Sequence, residues 1–80
     1  MKVKAYIMLN MKSGSEEEVC QELASFEEVE EVATIYGEYD ALVKVTAPDI
    51  KQLDSFIINK LRGVPNVLLT ATMIIAKKYK

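Results

Sequence analysis

The sequence predicts an α+β protein in which strands and helices follow one another in the order βαββαβ. Apolar residues alternate along the first and the last segments of the chain, as they do in strands with one buried face. Two further segments carry apolar residues at spacings of three and four, which is typical of amphipathic helices. Because crossovers are right-handed, this order places both helices on one side of a four-stranded antiparallel sheet. The expected architecture is therefore the ferredoxin-like sandwich.

The first strand and the first helix have the clearest signals. Every second residue of Val3–Met11 is apolar, which predicts a strand with one buried face. Ser15 is the predicted N-cap of the helix, with Glu18 in the capping-box position. The run Glu16–Glu18 suits the positive end of the helix dipole, so it needs no metal or ligand to explain it. Cys20 falls on the apolar helix face and is predicted to be a small packing residue.

The remaining elements are a hairpin, a second helix and a last strand. The segments Val29–Tyr36 and Ala41–Thr46 are rich in β-branched and aromatic residues, which predicts the two strands of the hairpin. The stripe from Ile50 to Leu61 predicts the second helix, and Gly63 is placed just past its end. The last predicted strand is Val67–Ala76, because its apolar residues again follow a period of two.

One face of the predicted sheet has no helix to cover it. Alternation along the strands assigns to this open face, in chain order, Tyr6, Met8, Leu42, Leu68, Thr70, Thr72 and Ile74. A face this apolar is larger than a soluble monomer normally exposes, so we expect a second copy of the chain to bury it. The alternative is that these residues are scattered singly and need no partner.

Composition limits the classes of function. The 80 residues suit one domain, the single cysteine cannot form an internal disulfide, and the absence of histidine argues against a zinc site. We expect no cofactor. No apolar run reaches the about 18 residues that span a bilayer and no signal peptide is recognisable, which predicts a cytoplasmic protein without membrane contact. The net charge of −2 disfavours direct nucleic-acid binding.

Two polar positions could carry a ligand site. The tip of the hairpin, Gly37–Asp40, offers a glycine that lets backbone amides approach a ligand and an aspartate that can accept hydrogen bonds from an ammonium group. Thr70 and Thr72 on the last strand offer hydroxyls for a carboxylate. These are the groups that an amino-acid site needs, although ordinary turn and strand chemistry also explains them. The two positions could converge between neighbouring subunits.

Several of these segments carry a family resemblance: Gly37–Val45, Leu53-x-x-Phe56, Leu61-Arg62 and Val67-x-x-Thr70-x-Thr72-x-Ile74. Together they resemble the effector-binding domain, also called the RAM domain, of the Lrp/AsnC (feast/famine) transcription regulators. The resemblance runs nearly from end to end. It implies a domain that dimerises through its sheet, assembles into octamer or decamer rings and binds amino acids between dimers.

The resemblance also implies which residues contact the effector. The candidate ligand contacts are Gly37, Tyr39, Asp40, Thr70 and Thr72, with Tyr36 as a lining residue in a position where the family commonly has threonine. The first strand begins at Val3, without a preceding helix-turn-helix domain. Residues 1–80 are therefore expected to be a stand-alone ligand-binding and oligomerisation module of transcription regulation, whose partners include a full-length regulator of the family.

Two other functions stay open at this point. One is a small dimeric enzyme of the same topology, such as a cofactor-free monooxygenase or an isomerase, for which Glu38, Tyr39 and Asp40 are the only candidate acids or bases near a cleft. The other is an RNA-recognition sheet, but that needs adjacent aromatic residues on the open face and basic surroundings. The regulatory binding module fits more of the sequence than either, and we expect no enzyme activity.

Overall fold

The computed structural model describes residues 2–80 and has the predicted order of elements. The elements are β1 (Val3–Met11), α1 (Glu16–Ala24), β2 (Val29–Thr34), β3 (Ala41–Ala47), α2 (Ile50–Asn59), a 3₁₀ turn (Leu61–Gly63) and β4 (Val67–Ile74). The strands pair antiparallel in the order β2-β3-β1-β4, so β1 and β3 are central, as the topology predicts. The predicted fold class is confirmed.

The core lies between the two central strands and the helices. Every second residue is buried in β1 from Ala5 onwards and in β3 from Ala41 onwards. The largest fully buried side chains are Ile7, Leu9, Val19, Leu23, Val43, Val45 and Leu61. Phe26 and Phe56 meet edge to face, with ring centroids 5.8 Å apart, and join α2 to the segment after α1. The alternation that predicted β1 therefore reports a true buried face.

The ends of several elements differ from the prediction. Strand β2 ends at Thr34 rather than Tyr36, and β4 ends at Ile74 rather than Ala76. At the start of α1 the predicted capping box does not form, because the Ser15 hydroxyl donates to the carbonyl of Lys12 instead. The N–H of Gly14 donates to the Glu16 carboxylate at 2.8 and 3.1 Å.

The turn after α2 also differs from the prediction. Asp49 caps α2 by accepting the Gln52 N–H at 2.8 Å. Helix α2 ends at Asn59, and Gly63 belongs to the following 3₁₀ turn. In this turn the residue with a left-handed backbone conformation is Asn66, whose φ is 72°. Asparagine therefore adopts the conformation that a glycine just past the helix was expected to adopt.

The predicted orientation of β4 is wrong. Thr70, Thr72 and Ile74 lie opposite Leu9, Ile7 and Ala5 of β1, and those three residues of β1 face the helices. Paired residues share a face, so the two threonines and Ile74 point to the helix side. The cause is a register shift next to Asn10 and Met11, which leaves Leu68 as an extra residue in β4. A shift of one residue moves every following side chain to the other face.

The open face keeps its apolar character with different members from β4. Pairing with β1 brings Leu69, Ala71 and Met73 onto it, beside Tyr6, Met8 and Leu42. Leu69 and Met73 are 56% and 46% exposed. The alternation therefore assigns the open-face residues of β1 and β3 correctly, whereas Thr70, Thr72 and Ile74 of β4 belong to the other face.

Candidate ligand-binding groove and hairpin tip

The hairpin tip is a loop between β2 and β3, residues 35–40. It is closed by the Ile35 N–H, which donates to the Asp40 carbonyl at 2.9 Å. Gly37 has a φ of 139°, a conformation that residues with a side chain rarely adopt. A Cβ at this position would meet no atom within 4 Å, so the backbone conformation and not the available space favours glycine. Tyr36 is fully exposed at the tip, whereas Tyr39 is half-buried.

Asp40 joins this tip to the end of β1. Its carboxylate oxygen Oδ2 accepts the Met11 N–H at 3.0 Å, and its own N–H donates to the Leu9 carbonyl at 3.0 Å. A carboxylate can accept several hydrogen bonds, so the side chain keeps capacity for a ligand while it holds the hairpin in place. Asp40 therefore has a structural role that the sequence did not reveal.

Thr70 and Thr72 line a groove between α2 and β4. The groove has a volume of about 380 Å³, which falls within the range of small-molecule sites. Its other lining residues are Ile50, Leu53, Asp54, Ile57, Arg62 and Ile74. The threonines reach it only because the register shift in β4 turns them to the helix side.

The groove carries one acidic and one basic side chain. Asp54 lies on α2 and Arg62 in the 3₁₀ turn, and neither forms an ion pair with another of residues 2–80. A guanidinium binds a carboxylate in a bidentate manner, and a carboxylate accepts hydrogen bonds from an ammonium group. With the two hydroxyls and the aliphatic lining, the groove has the groups that bind a small zwitterion with an apolar side chain.

The sequence did not single out Asp54, and it gave Arg62 only as part of a resemblance. Both residues lie next to a buried leucine and beside the last strand, and this position is the signal that could have identified them. Asp54 follows the buried Leu53 of α2, and Arg62 follows the buried Leu61. Both become groove residues only once the threonines of β4 face the helices, and the register shift hides that orientation from the alternation of the sequence.

Within one copy, the structure does not bring the two halves of the predicted site together. The groove contains Thr70 and Thr72 but none of Tyr36, Gly37, Tyr39 and Asp40. Strand β1 separates β3 from β4. Neighbouring strands are about 4.8 Å apart, so the hairpin end of β3 lies about 10 Å from β4.

Among residues 2–80 the structure supports neither a metal site nor a reactive cysteine nor a membrane-spanning helix. No group of three or more His, Cys, Asp or Glu side chains among residues 2–80 could hold a metal ion. Burial raises the pKa of the Cys20 thiol, and the nearby Glu17 and Glu16 raise it further, so the thiol is a poor nucleophile at neutral pH. None of the helices described in residues 2–80 is long and apolar enough to cross a bilayer.

The fold is a small α+β domain with an open groove beside its sheet, and comparison with known proteins identifies its family. Residues 4–80 match the model of the Lrp/AsnC ligand binding domain, and the chain belongs to this family. The HTH-type transcriptional regulator FL11 of Pyrococcus abyssi is 36% identical over 76 residues, which are 95% of this chain and 50% of the relative. The chain thus spans about half the length of the curated relatives it matches.

Solved structures agree with this assignment. The crystal structure of FFRP-DM1 is 42% identical, with a TM-score of 0.88 over 91% of this chain and 97% of that chain. The transcriptional regulator NMB0573 of Neisseria meningitidis, solved as a complex with L-Met, shares the fold with a TM-score of 0.90 and 19% identity, over 98% of this chain and 52% of that one.

These comparisons decide between the functions that the sequence left open. The family is a ligand-binding domain of regulators, and the relative of Pyrococcus abyssi is a transcriptional regulator. The predicted family and the predicted absence of enzyme activity are confirmed, and the monooxygenase or isomerase alternative finds no support. The chain is a domain of the Lrp/AsnC ligand-binding family, and the relative from Pyrococcus abyssi that it resembles is a transcriptional regulator.

Proposed function

We propose that this domain binds a free amino acid between copies of itself and that binding changes its assembly and thereby transcription. The observation that carries the proposal is the groove between α2 and β4, where Asp54, Arg62, Thr70 and Thr72 surround an aliphatic surface. A free amino acid has a carboxylate, an ammonium group and a side chain. The groove offers a complementary group to each.

Each side chain of the groove has a defined task in this proposal. Arg62 and the hydroxyls of Thr70 and Thr72 bind the carboxylate of the ligand. Asp54 accepts hydrogen bonds from the ammonium group. The aliphatic side chains of α2, among them Ile57, contact the side chain of the ligand. These contacts favour an apolar amino acid. The L-Met complex of the structural relative from Neisseria is consistent with a ligand of this class.

The hairpin tip completes the site from a neighbouring copy. Gly37, Tyr39 and Asp40 lie outside the groove of their own protomer, and exposed Tyr36 stands at the tip. A tip that reaches the groove of the next dimer adds a second carboxylate for the ammonium group and an aromatic wall. The ligand then bridges two dimers, and its differential affinity for the assembled form shifts the assembly equilibrium.

The assembly in this proposal has two levels. Dimers form through the open apolar face, and dimers join into a ring of eight or ten copies through the ligand sites. The ring, or a mixed assembly with a full-length regulator of the family, responds to the amino acid in the cytoplasm. The uncovered face with Leu69 and Met73 half exposed supports the first level. The division of the site between groove and tip supports the second.

Isothermal titration with the twenty amino acids tests the proposal. We expect at least one apolar amino acid to bind, and Arg62→Gln to weaken that binding more than tenfold, because a hydrogen bond to a charged group is worth about 1.5–3 kcal/mol. Asp40→Asn should also weaken it, while the amide oxygen still accepts the Met11 N–H. Lys51→Gln, an exposed position of α2 outside the groove, is the matched control and should bind as the wild type does.

Two results of this titration contradict the proposal. One is the absence of binding across the whole panel. The other is an amino acid that binds equally well to the wild type, Arg62→Gln and Asp40→Asn, since neither the groove nor the tip then contributes. Light scattering on the same samples follows the assembly, and we expect the particle mass to change on addition of the ligand that binds.

A further inference from the structure

One groove concentrates positive charge on a chain whose net charge is −2. It has a volume of about 450 Å³ and lies where the end of the open face meets the C-terminal residues. The basic residues that line this lysine groove are Lys2, Lys4, Lys44, Lys77, Lys78 and Lys80. Its aromatic residues are Tyr6 and Tyr79. The proposed amino-acid site shares no residue with the lysine groove.

Strand β1 and the segment after β4 build the lysine groove together. Lys4 and Tyr6 are two residues apart in β1, so their side chains lie on the same face of the sheet. Lys44 of β3 pairs with Tyr6 and shares that face. The Ile75 N–H donates to the Lys4 carbonyl at 2.8 Å, which continues the pairing with β1 past the end of β4. The C-terminal segment with its lysines therefore starts beside Lys4.

Only part of this positive charge is neutralised within the chain. Glu30 lies 3.6 Å from the Lys4 ammonium and 3.8 Å from the Lys44 ammonium, so one carboxylate faces two ammonium groups. The other lysines of the groove form no ion pair among residues 2–80; they are Lys2, Lys77, Lys78 and Lys80. Like charges that are close together repel one another, and an anion bound between them relieves the repulsion. The groove therefore suits an anion with several negative charges.

The surroundings of the groove favour a compact anion over a long one. A volume of about 450 Å³ is within the range of small-molecule sites. Lys2 also lines a neighbouring groove that contains Glu27, Glu28 and Glu30. A polyanion that continued past Lys2 would meet these carboxylates, which repel it. A nucleic-acid backbone needs a longer positive track, and the remaining lysines do not line the groove; they are Lys12, Lys51 and Lys60.

Tyr79 adds an aromatic surface to the lysine groove. Its side chain is 87% exposed, and the Lys77 ammonium lies 5.1 Å from the centroid of its ring. This cation–π contact occupies one face of the ring and leaves the other face open. Nucleobases stack on aromatic rings, and lysine ammonium groups bind phosphates as point charges. A ligand with a phosphate chain and a planar base therefore matches both kinds of side chain.

We propose that the lysine groove binds a free nucleotide that carries a di- or triphosphate. The phosphates lie among the unpaired lysines, with Lys77 and Lys78 as the main contacts, and the base stacks on Tyr79. The inference goes beyond the proposed function, because it gives the domain a second ligand of a different chemical class at a separate site. Of the apolar residues on the open face, the groove contains only Tyr6, so the nucleotide does not need that apolar surface to be free.

Isothermal titration with adenosine compounds tests this inference. The ligands are ATP, ADP, AMP, adenosine and inorganic triphosphate, titrated at low salt without divalent metal ions. We expect ATP to bind at least about tenfold more tightly than AMP, because each added phosphate gains contacts with ammonium groups. Adenosine should not bind measurably. Inorganic triphosphate should bind more weakly than ATP, because it has no base to stack on the tyrosine.

Substitutions at exposed positions separate the two halves of the site. Lys77→Gln with Lys78→Gln should weaken ATP binding at least about tenfold, because two unpaired charges are lost. Tyr79→Leu should weaken ATP binding by about tenfold and leave the affinity for inorganic triphosphate unchanged. Lys12→Gln with Lys51→Gln removes the same charge outside the groove and is the matched control, which should bind ATP as the wild type does. Circular dichroism checks that each variant is folded.

Several results overturn the inference. The wild type does not bind ATP, or the control variant loses as much affinity as the lysine variant, which would make net charge the only cause. An oligothymidylate that binds more tightly than ATP and displaces it would assign the groove to nucleic acid instead. Arg62→Gln, which disables the amino-acid groove, should bind ATP as the wild type does. A loss of ATP binding in this variant would place ATP in the amino-acid groove and remove the second site.

Discussion

The two edge strands of the sheet, β2 and β4, differ in how they are covered. Both run beside a central strand and both contain a register shift. Helix α1 contacts β2, and Val29 and Val32 pack against the core. On the helix side of β4, Val67 and Thr70 are partly buried, and Thr72 and Ile74 are exposed to solvent. The fold therefore covers one edge strand with a helix and leaves an open groove along the other.

The largest effect that this comparison predicts is on stability. Helix α1 covers the β2 edge, and its Leu23 is fully buried. Leu23→Ala should therefore lower the free energy of unfolding by about 2–5 kcal/mol. Leu68, the extra residue of β4, is 69% exposed, and the same truncation there should change it by less than about 0.5 kcal/mol. Urea unfolding at equal protein concentration measures both variants. Equal losses would contradict the asymmetry.

A smaller effect is predicted on ligand affinity. The test compares one threonine of β4 with one threonine of β2. Thr72→Val removes a hydroxyl from the groove on β4 and should weaken amino-acid binding by about 1 kcal/mol, the usual net value of one hydrogen bond. Thr34 of β2 also lies on the helix side, opposite Ala41, but outside the groove. Thr34→Val should therefore bind the ligand as the wild type does in the same titration. A loss of equal size at Thr34 would mean that the effect is not local.

The smallest predicted effect is on the acid stability of the β2 edge. The hydrogen bond from Lys60 holds the pKa of Glu28 below its ordinary value of 4.5, and the hydrogen bond that Thr46 donates lowers the pKa of Glu30. Because the folded-state values lie below the unfolded ones, the stability that these carboxylates contribute is present above about pH 4.5 and is lost as the pH falls through the folded values.

Urea unfolding over the range from pH 6 downwards to about pH 3 measures this effect. Both carboxylates are solvent-exposed enough for water and salt to screen them, so the loss should be the least of the three effects. Glu28→Gln should flatten the acid side of the profile. Glu31→Gln, whose parent residue forms no ion pair among residues 2–80, should leave the profile unchanged. An equally flattened profile for both variants would argue against the Lys60 pair as its cause.

The sequence predicted the fold because its central strands obey a regular alternation. Strand β1 has the predicted bounds Val3–Met11, and the face of Ile7 and Leu9 is the buried one. The prediction failed where a single residue interrupts that regularity. Leu68 adds one residue opposite the end of β1, and a period of two carried past it assigns Thr70 and Thr72 to the wrong face.

The candidate site could be predicted only in part for a related reason. The resemblance pointed to the hairpin tip and the two threonines, which are local motifs. The addition of Asp54 and Arg62 depends on how α2 packs beside β4, a contact between residues far apart in the chain. The role of Asp40 in holding β1 depends likewise on the Met11 N–H, 29 residues away. Local patterns do not encode such contacts.

The claim that the ligand site is shared between copies has a direct test. Asp40→Asn lacks a functional tip and Arg62→Gln lacks a functional groove, and each alone should bind poorly. When the two are refolded together in equal amounts, random assortment gives about a quarter of the sites an intact groove from one copy and an intact tip from another. We predict that titration of this mixture recovers wild-type affinity at about that fraction of sites. A mixture that binds no better than either variant alone would contradict a site shared between copies.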